Sequence, residues 1–314
     1  DAKLTNAATM VATHPPSLEA RLVSPSSWSC AHGVERWRSN CGCRIGQDTP
    51  PAQEWRAPLR AALTSLARES DVVFAREGSA IFATDPWRVR DAYGAVVGSD
   101  GAALDAFVVS AVPEGADHAT HMRAHELLEL QRASMRMFTS CAWFFDDVNR
   151  IETRQVLRYA ARVLELSGDA DALTPDFLRG LEAARSPVAG GVSARELFLR
   201  DLSSRESAEF SVAAGAMALA AAGLPCTRIA AYDVRVAPMA ADRAYEVTLT
   251  HRRTRSEATV GGTVSGRASA VGITVNASGG QPQHARTLAI HELPERVATS
   301  LLRQHALDDG ALSG

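Results

Sequence analysis

The stretch "FSVAAGAMALAAAGLPCTRIAAYDVRVAP" (residues 210–238) changes its hydrophobic period partway along. Residues 210–224 form an alanine-rich apolar run, which is typical of a buried helix and is shorter than the roughly 18 residues that a bilayer span needs. From residue 227 onward apolar and polar residues alternate, as they do in a half-buried strand. This change predicts an α+β chain, in which a helical region is followed by a small antiparallel β-sheet region.

The segments before this change of period have helical spacing, and most of those after it alternate as strands do. Downstream, "AYEVTLTHRRT" (244–254), "SEATVGGTVSG" (256–266) and "ASAVGITVNAS" (268–278) alternate and predict antiparallel strands within residues 226–291. Upstream, helical spacing predicts helices at 54–70, 85–97, 117–138, 152–168, after Thr174 and at 193–223, and a last helix is predicted at 293–305. We divide the chain into residues 1–190, a loop plus a helical region, and residues 191–314, a helix followed by a β-rich region.

Composition excludes some classes of partner. Among 314 residues, 33 are basic and 36 acidic, for a net charge of −3. This balance predicts neither a nucleic-acid nor a membrane partner. The chain begins with Asp1 and shows no signal-peptide pattern, so either a leader was removed or the chain is a piece of a longer polypeptide, which is the interpretation that we prefer. We expect a cytoplasmic location.

Cysteines are concentrated in one loop, "SSWSCAHGVERWRSNCGC", which holds three of the five in the chain. Cys30, Cys41 and Cys43 lie here with His32, and Cys141 follows in the break between two predicted helices. Four thiolates, or three with an imidazole, are the ligands that structural zinc prefers, and four thiolates also suit an iron–sulfur cluster. We expect these five side chains to converge on a metal, with zinc as the candidate cofactor.

Two alternatives to a metal site remain open at this point. The spacing of the cysteines is not the paired CxxC pattern of common zinc modules. A disulfide within the loop would require an exported protein, and free cysteines also pack as small hydrophobic side chains. Packing is the interpretation that we give to Cys226, which lies next to a predicted strand.

Two further groups of polar residues have weaker patterns. His118, His121 and His125 share one helix face, but no HExxH motif accompanies them, so a solvated face is the simpler interpretation. Asp146 and Asp147 follow an aromatic triplet and precede a helix, where carboxylates act as acid/base groups or as helix caps.

Several long motifs resemble one known family. These are "SSWSCAHGVERWRSNCGC" (26–43), "WRAPLRAAL" (55–63), "LLELQRASMRMFTSCAWFFDD" (127–147) and "IETRQVLRYAARVLEL" (151–166). Together they resemble the C-terminal region of bacterial proteins related to glycoside hydrolase family 57, a region known as domain of unknown function 3536. The resemblance covers residues 14–168 well and the rest loosely.

The resemblance implies a carbohydrate-binding cleft. Family 57 enzymes are retaining glycosidases and glucan transferases, whose helices complete a cleft beside an incomplete (β/α) barrel. Trp143 matches a cleft tryptophan of the family, although Ala142 stands where the family has aspartate. The candidate substrate-binding residues are Trp28, Trp37, Trp143, Phe144, Asp146 and Asp147.

Two functions follow from these observations. In the first, the chain is the C-terminal accessory part of a family 57-like protein, and it completes an α-glucan-binding cleft together with the N-terminal catalytic barrel of the parent chain. The barrel segments that carry both catalytic carboxylates precede this region in the family, so we expect no catalytic residue here and no glycosidase activity of the chain alone. In the second, the chain is a metal-stabilised structural or binding module.

Overall fold

A computed structural model describes residues 4–46, 50, 52–99, 101–188, 190–241, 243–265, 272–277 and 286–311. The helices are α1 (Ala7–Thr13), α2 (Arg56–Ile81), α3 (Pro86–Tyr93), α4 (Gly101–Ala111), α5 (His118–Arg136), α6 (Cys141–Phe144), α7 (Ile151–Ser167), α8 (Ala170–Glu182), α9 (Ala194–Ala221) and α10 (Glu295–Ala311). The strands are β1 (Arg228–Ile229), β2 (Tyr232–Pro238), β3 (Ala244–His251), β4 (Glu257–Ser265), β5 (Gly272–Ala277) and β6 (Arg286–Leu288). This arrangement confirms the predicted α+β class.

The helical region packs around α2, α5 and α7. Their buried faces carry large apolar side chains, among them Leu63, Phe74, Leu127 and Leu157, each with no more than a trace of exposed area. Apolar residues recur on these helices at helical spacing, so burial of one face drives their association. The bundle thereby forms the first hydrophobic core of the chain.

The strands form one antiparallel sheet in which each strand pairs with the next along the chain. In β4 the buried residues are Val260, Gly262 and Val264, every second position, as the sequence alternation predicts. This face packs against α9, and together with α10 they form the second core. A meander of this kind needs only short connections, which is consistent with the closely spaced strand segments of the sequence.

Helix α9 belongs to both cores. Leu197 and Phe198 near its start are buried in the first core, and Ala213 and Met217 near its end are buried in the second. A capping box at Ser193 fixes its first turn. The predicted division of the chain after residue 190 therefore lies just before α9, a helix whose two ends belong to different hydrophobic cores.

A turn between β3 and β4, residues 251–256, reaches back to the helical bundle. Arg253 donates to the hydroxyl of Tyr93 at 2.6 Å and pairs with Glu129 at 2.8 Å. Arg255 binds Asp105 through two hydrogen bonds of 2.8 and 2.7 Å. These ion pairs attach the sheet to the helices across more than a hundred residues of sequence.

Several predicted elements differ from the observed ones. Helix α2 continues past residue 70 to Ile81 because Val73 and Phe74 extend its buried face. Helix α8 begins at Ala170, and the predicted cap Thr174 lies inside it beside Pro175. Proline removes one backbone donor, and burial of Phe177 and Leu181 compensates for that loss. Sequence reasoning missed α1 and α4.

Candidate metal centre

The cysteine loop, residues 27–46, runs over one end of the bundle. Ser27 forms a short β-bridge with Cys30, and a turn of 3-10 helix covers Glu35–Trp37. Gly42, between Cys41 and Cys43, has a φ of +74°, a left-handed conformation that glycine adopts without strain. The backbone can therefore turn sharply between the two cysteines.

Four side chains of this loop meet at one point. The Sγ atom of Cys30 lies 3.8 Å from each of the Sγ atoms of Cys41 and Cys43. The Nδ1 atom of His32 lies 3.5 Å from the Cys43 sulfur and 4.0 Å from the Cys30 sulfur. All four ligand atoms lie within 4.8 Å of one another, so this group could hold a metal ion.

The sulfur atoms are not joined by disulfide bonds. A disulfide requires sulfur atoms about 2.05 Å apart, well below the observed separations. All five cysteines of the chain are free thiols. The cysteines of the group are thus available as thiolate ligands.

The protein backbone prepares one of these thiols for ionisation. Burial raises the pKa of Cys30, but hydrogen bonds from the backbone N–H groups of Arg36 and His32, together with side-chain hydrogen bonds to Cys43 and His32, lower it to about 7. At Cys43, burial raises the pKa, and the neighbouring Cys41 and Cys30 raise it further. A thiolate at Cys30 is therefore available to a metal near neutral pH.

A buried cluster of three charged residues, the Arg–Asp triad, lies beneath the loop. It consists of Arg36 from the loop, Arg56 from α2 and Asp146 from the segment after α6, all of them buried. One oxygen of Asp146 accepts hydrogen bonds from the backbone N–H groups of Ile45 and Gly46, at 2.7 and 2.8 Å. The other oxygen lies 3.7 Å from the Arg56 guanidinium and 4.0 Å from that of Arg36.

The two arginines also bind the loop backbone next to the candidate ligand residues. Arg56 donates to the carbonyl oxygen of Cys43 at 2.9 Å, and Arg36 donates to that of Ser29 at 2.8 Å. Sequence reasoning did not single out either arginine, because nothing in the local pattern distinguishes them from the many exposed arginines of this chain. The one sequence feature that could have identified them is that both lie within the motifs that resemble the known family.

The candidate aromatic residues do not share one surface. Trp28 is 90% exposed, and its ring lies 5.5 Å from that of Phe144. Trp37 is half-buried and donates its indole N–H to the carbonyl oxygen of Ser140 at 3.0 Å. Trp143 has no exposed area and donates to the carbonyl oxygen of Arg56 at 3.2 Å, so the expectation of a third cleft tryptophan is wrong.

The remaining candidates occupy separate positions. Cys141 is exposed on α6 and is not part of the four-residue group, which corrects the predicted convergence. Asp147 accepts from the backbone N–H of Asn149 and from the hydroxyl of Ser186, at 2.8 and 2.9 Å. Like Asp146, it binds protein groups, and neither carboxylate caps α7. Cys226 is partly buried against the second core.

The histidine face of α5 has structural contacts. The Nε2 atom of His125 lies 3.2 Å from Asp105, and His121 contacts the backbone oxygen of Asp117 at 2.8 Å. Among the described residues, no group with metal-binding geometry includes a histidine of this helix. Contacts within the helical bundle thus account for His121 and His125, without a metal.

Comparisons with known proteins identify one family. A family model described as Domain of unknown function (DUF3536) matches residues 52–286, well over half of the chain, and the cysteine loop precedes the matched segment. No curated protein and no solved structure matches the chain. Within the described part of the chain, no helix has both the length and the apolar character that crossing a membrane requires.

Proposed function

We propose that this chain, which belongs to the DUF3536 family, is a metal-stabilised module in which Cys30, His32, Cys41 and Cys43 bind one zinc ion. A single observation supports the proposal: three thiols and an imidazole nitrogen lie within 4.8 Å of one another. The zinc orders the cysteine loop internally, and Arg56 and Asp146 hold the backbone of the ordered loop to the helical bundle. Free thiols are stable under reducing conditions, so the proposal places the protein in the cytoplasm.

The distances suit a tetrahedral zinc ion. Bonds of about 2.3 Å to sulfur and about 2.0 Å to nitrogen imply edges of roughly 3.8 Å between sulfurs and roughly 3.5 Å between sulfur and nitrogen. Of the six separations among the four ligand atoms, three agree, at 3.8, 3.8 and 3.5 Å. Cys30 and His32 lie 4.0 Å apart, and no separation exceeds 4.8 Å, so binding would require the side chains to move closer together.

The donor set favours a structural role for the ion. Thiolates are soft ligands that select zinc over hard cations such as magnesium or calcium. Four protein ligands close the coordination sphere, whereas catalytic zinc keeps one position for water or substrate. The proposed ion therefore stabilises the loop and performs no chemistry.

The loop needs such a contribution because it buries little. Within residues 27–46, Cys30 and Arg36 are the buried side chains. Ordering a backbone of this kind costs about 1–2 kcal/mol per residue, and hydrophobic burial does little to offset that cost here. Metal-binding free energy appears directly as folding free energy.

Elemental analysis of the full chain, purified without added metal, tests the proposal. We expect one zinc per chain, and we expect Co²⁺ substituted for it to show thiolate-to-cobalt absorption. Cys43→Ser should lose most of the bound metal, whereas Cys141→Ser, an exposed cysteine outside the group, should retain it. Absence of both zinc and iron, with the cysteines reduced, would overturn the proposal. Iron found together with labile sulfide would also overturn the zinc assignment and identify an iron–sulfur cluster instead.

A second function is favoured by the exposure of Trp28. Its indole presents a flat apolar face beside Phe144, and such faces stack on sugar rings. On this basis we propose that the chain contributes a platform for an α-glucan as the accessory part of a family 57-like protein, next to the catalytic barrel of the parent chain.

Affinity electrophoresis in gels containing glycogen tests the platform. We expect the chain to be retarded, with Trp28→Ala abolishing and Trp28→Phe preserving most of the retardation. Trp87→Phe, a change on α3 away from the loop, is the control. Equal migration of the natural chain with and without glycogen would refute this second function and leave the metal proposal intact.

A further inference from the structure

We infer that Arg36 and Arg56 are positioning residues that favour an anionic, three-thiolate zinc complex in the cysteine loop, an inference that rests on the proposed function. The observation that supports it is that the Arg–Asp triad contacts the loop backbone beside the candidate ligands. Two of its members bind backbone carbonyls of the ligand-bearing segments, and the third binds the backbone N–H groups that follow Cys43.

The triad has an excess of positive charge. Two guanidinium groups face the single carboxylate of Asp146, and all three side chains are buried. Buried charge is costly unless a counter-charge lies close by. One positive charge of the triad is therefore not balanced within it.

The proposed complex supplies the balancing charge. A divalent ion bound by three thiolates and a neutral imidazole carries one net negative charge. Arg56 donates to the backbone carbonyl of Cys43. Burial and the neighbouring Arg36 lower the pKa of Arg56, and the charges of Cys41, Asp146 and Cys43 counteract this lowering. Without a bound complex, the excess positive charge of the triad would lack this partner.

The same residues fix the geometry of the loop on both sides of the ligands. Arg36 binds the carbonyl of Ser29, one residue before Cys30, and its backbone N–H bonds the Cys30 sulfur. Asp146 binds the N–H groups of Ile45 and Gly46, just after Cys43. Groups that orient ligands in this way commonly change metal affinity about 10–100-fold when they are removed.

The experiment compares zinc affinities of the full chain by competition with a chromophoric chelator. Arg56→Met removes the charge and keeps much of the side-chain volume, and we expect affinity to fall about 10–100-fold. Arg56→Lys keeps the charge and should recover a large part of this loss. Cobalt spectra of all variants should retain the natural band positions, since the ligands are unchanged.

Two further variants keep the test decisive. Arg123→Met, at a half-buried arginine that binds carbonyls elsewhere in the bundle, should leave zinc affinity unchanged. If Arg56→Met does not fold, Arg36→Met, outside the bundle helices, should show the same weakening. If the natural chain binds no zinc, the proposed function is wrong. Zinc bound equally well by the natural chain, Arg56→Met and Arg36→Met would overturn this inference alone.

Discussion

The cysteine loop and the β3–β4 turn are both irregular segments attached to the same helical bundle, but by opposite arrangements of charge. In the loop, Arg56 and Asp146 of the bundle side bind backbone groups of the segment. In the turn, Arg253 and Arg255 of the segment bind side-chain carboxylates of the bundle. The first arrangement positions a backbone, and the second pairs charges directly.

The two segments therefore depend on different interactions for their attachment to the bundle. The turn is attached by its own arginine side chains, so its attachment should respond to pH and to single charge substitutions. The loop brings thiols together and depends on what they bind, so its attachment should respond to metal. Each of the following changes should affect one segment and spare the other.

Metal removal should have the largest effect, and it should be confined to the loop. Apparent binding free energies of structural zinc reach about 10–16 kcal/mol in small domains, and chelation removes that contribution. We expect chelator to make residues 27–46 sensitive to protease while fragments of the bundle stay intact. Cys43→Ser should behave in the same way without chelator, and Cys226→Ser should not. Chelator-independent cleavage would remove the distinction between the two segments.

Glu129→Gln should have the second largest effect, at the turn. Glu129 is buried and holds both Arg253 and the hydroxyl of Tyr93 at 2.6 Å. Removing one member of a buried pair leaves the other charge without compensation, so we expect a loss of about 3 kcal/mol in the free energy of unfolding. Urea denaturation measures it, with Glu114→Gln at an exposed site as control. An equal loss in both variants would contradict a specific role of this pair.

Acid should destabilise the attachment of the turn through His125. Burial lowers the pKa of His125 and outweighs the carboxylates of Asp105 and Glu129, which raise it. The charge of Arg255 lowers the pKa further. The native state then binds fewer protons than the unfolded chain, whose histidine titrates near pH 6.5, so this contribution is present above about pH 6.5 and is lost as the pH falls below it. Thermal unfolding between pH 5 and 8 should show the decline, and His125→Gln should flatten it. Zinc at saturation should leave the difference between these variants unchanged.

Arg255→Met should have a modest effect. Its partner Asp105 is 46% exposed, and ion pairs of this kind contribute about 0.2–1 kcal/mol. Urea denaturation should give a loss within that range, smaller than that of Glu129→Gln. A loss as large as that of the buried pair would show that burial does not decide the strength of these contacts.

Trp28→Ala should have the smallest effect on stability. The side chain is 90% exposed, and exposed substitutions usually change the free energy of unfolding by less than about 0.5 kcal/mol. Unchanged unfolding together with lost glycogen binding would separate a binding surface from a structural one. A clear destabilisation would instead mean that the ring supports the loop through Phe144.

Much of the fold can be predicted from the sequence because its signals are local. The period change near residue 225 predicts the order of helices and strands, and the alternation in β4 predicts its buried face. The density of cysteines between residues 30 and 43 likewise predicts a cluster, since a short loop can bring its own residues together. In each of these features, neighbouring residues determine the outcome.

Tertiary structure alone decided the rest. It excluded Cys141 from the group, buried Trp143 completely, and assigned Asp146 to the backbone of Ile45, 101 residues away. Local pattern cannot foresee such contacts, because burial and charge pairing depend on which distant surfaces meet when the cores close. The sequence by itself thus determined which chemical groups are present and in what order. Packing of the bundle determined which of them are buried, which face solvent and which compensate one another's charge.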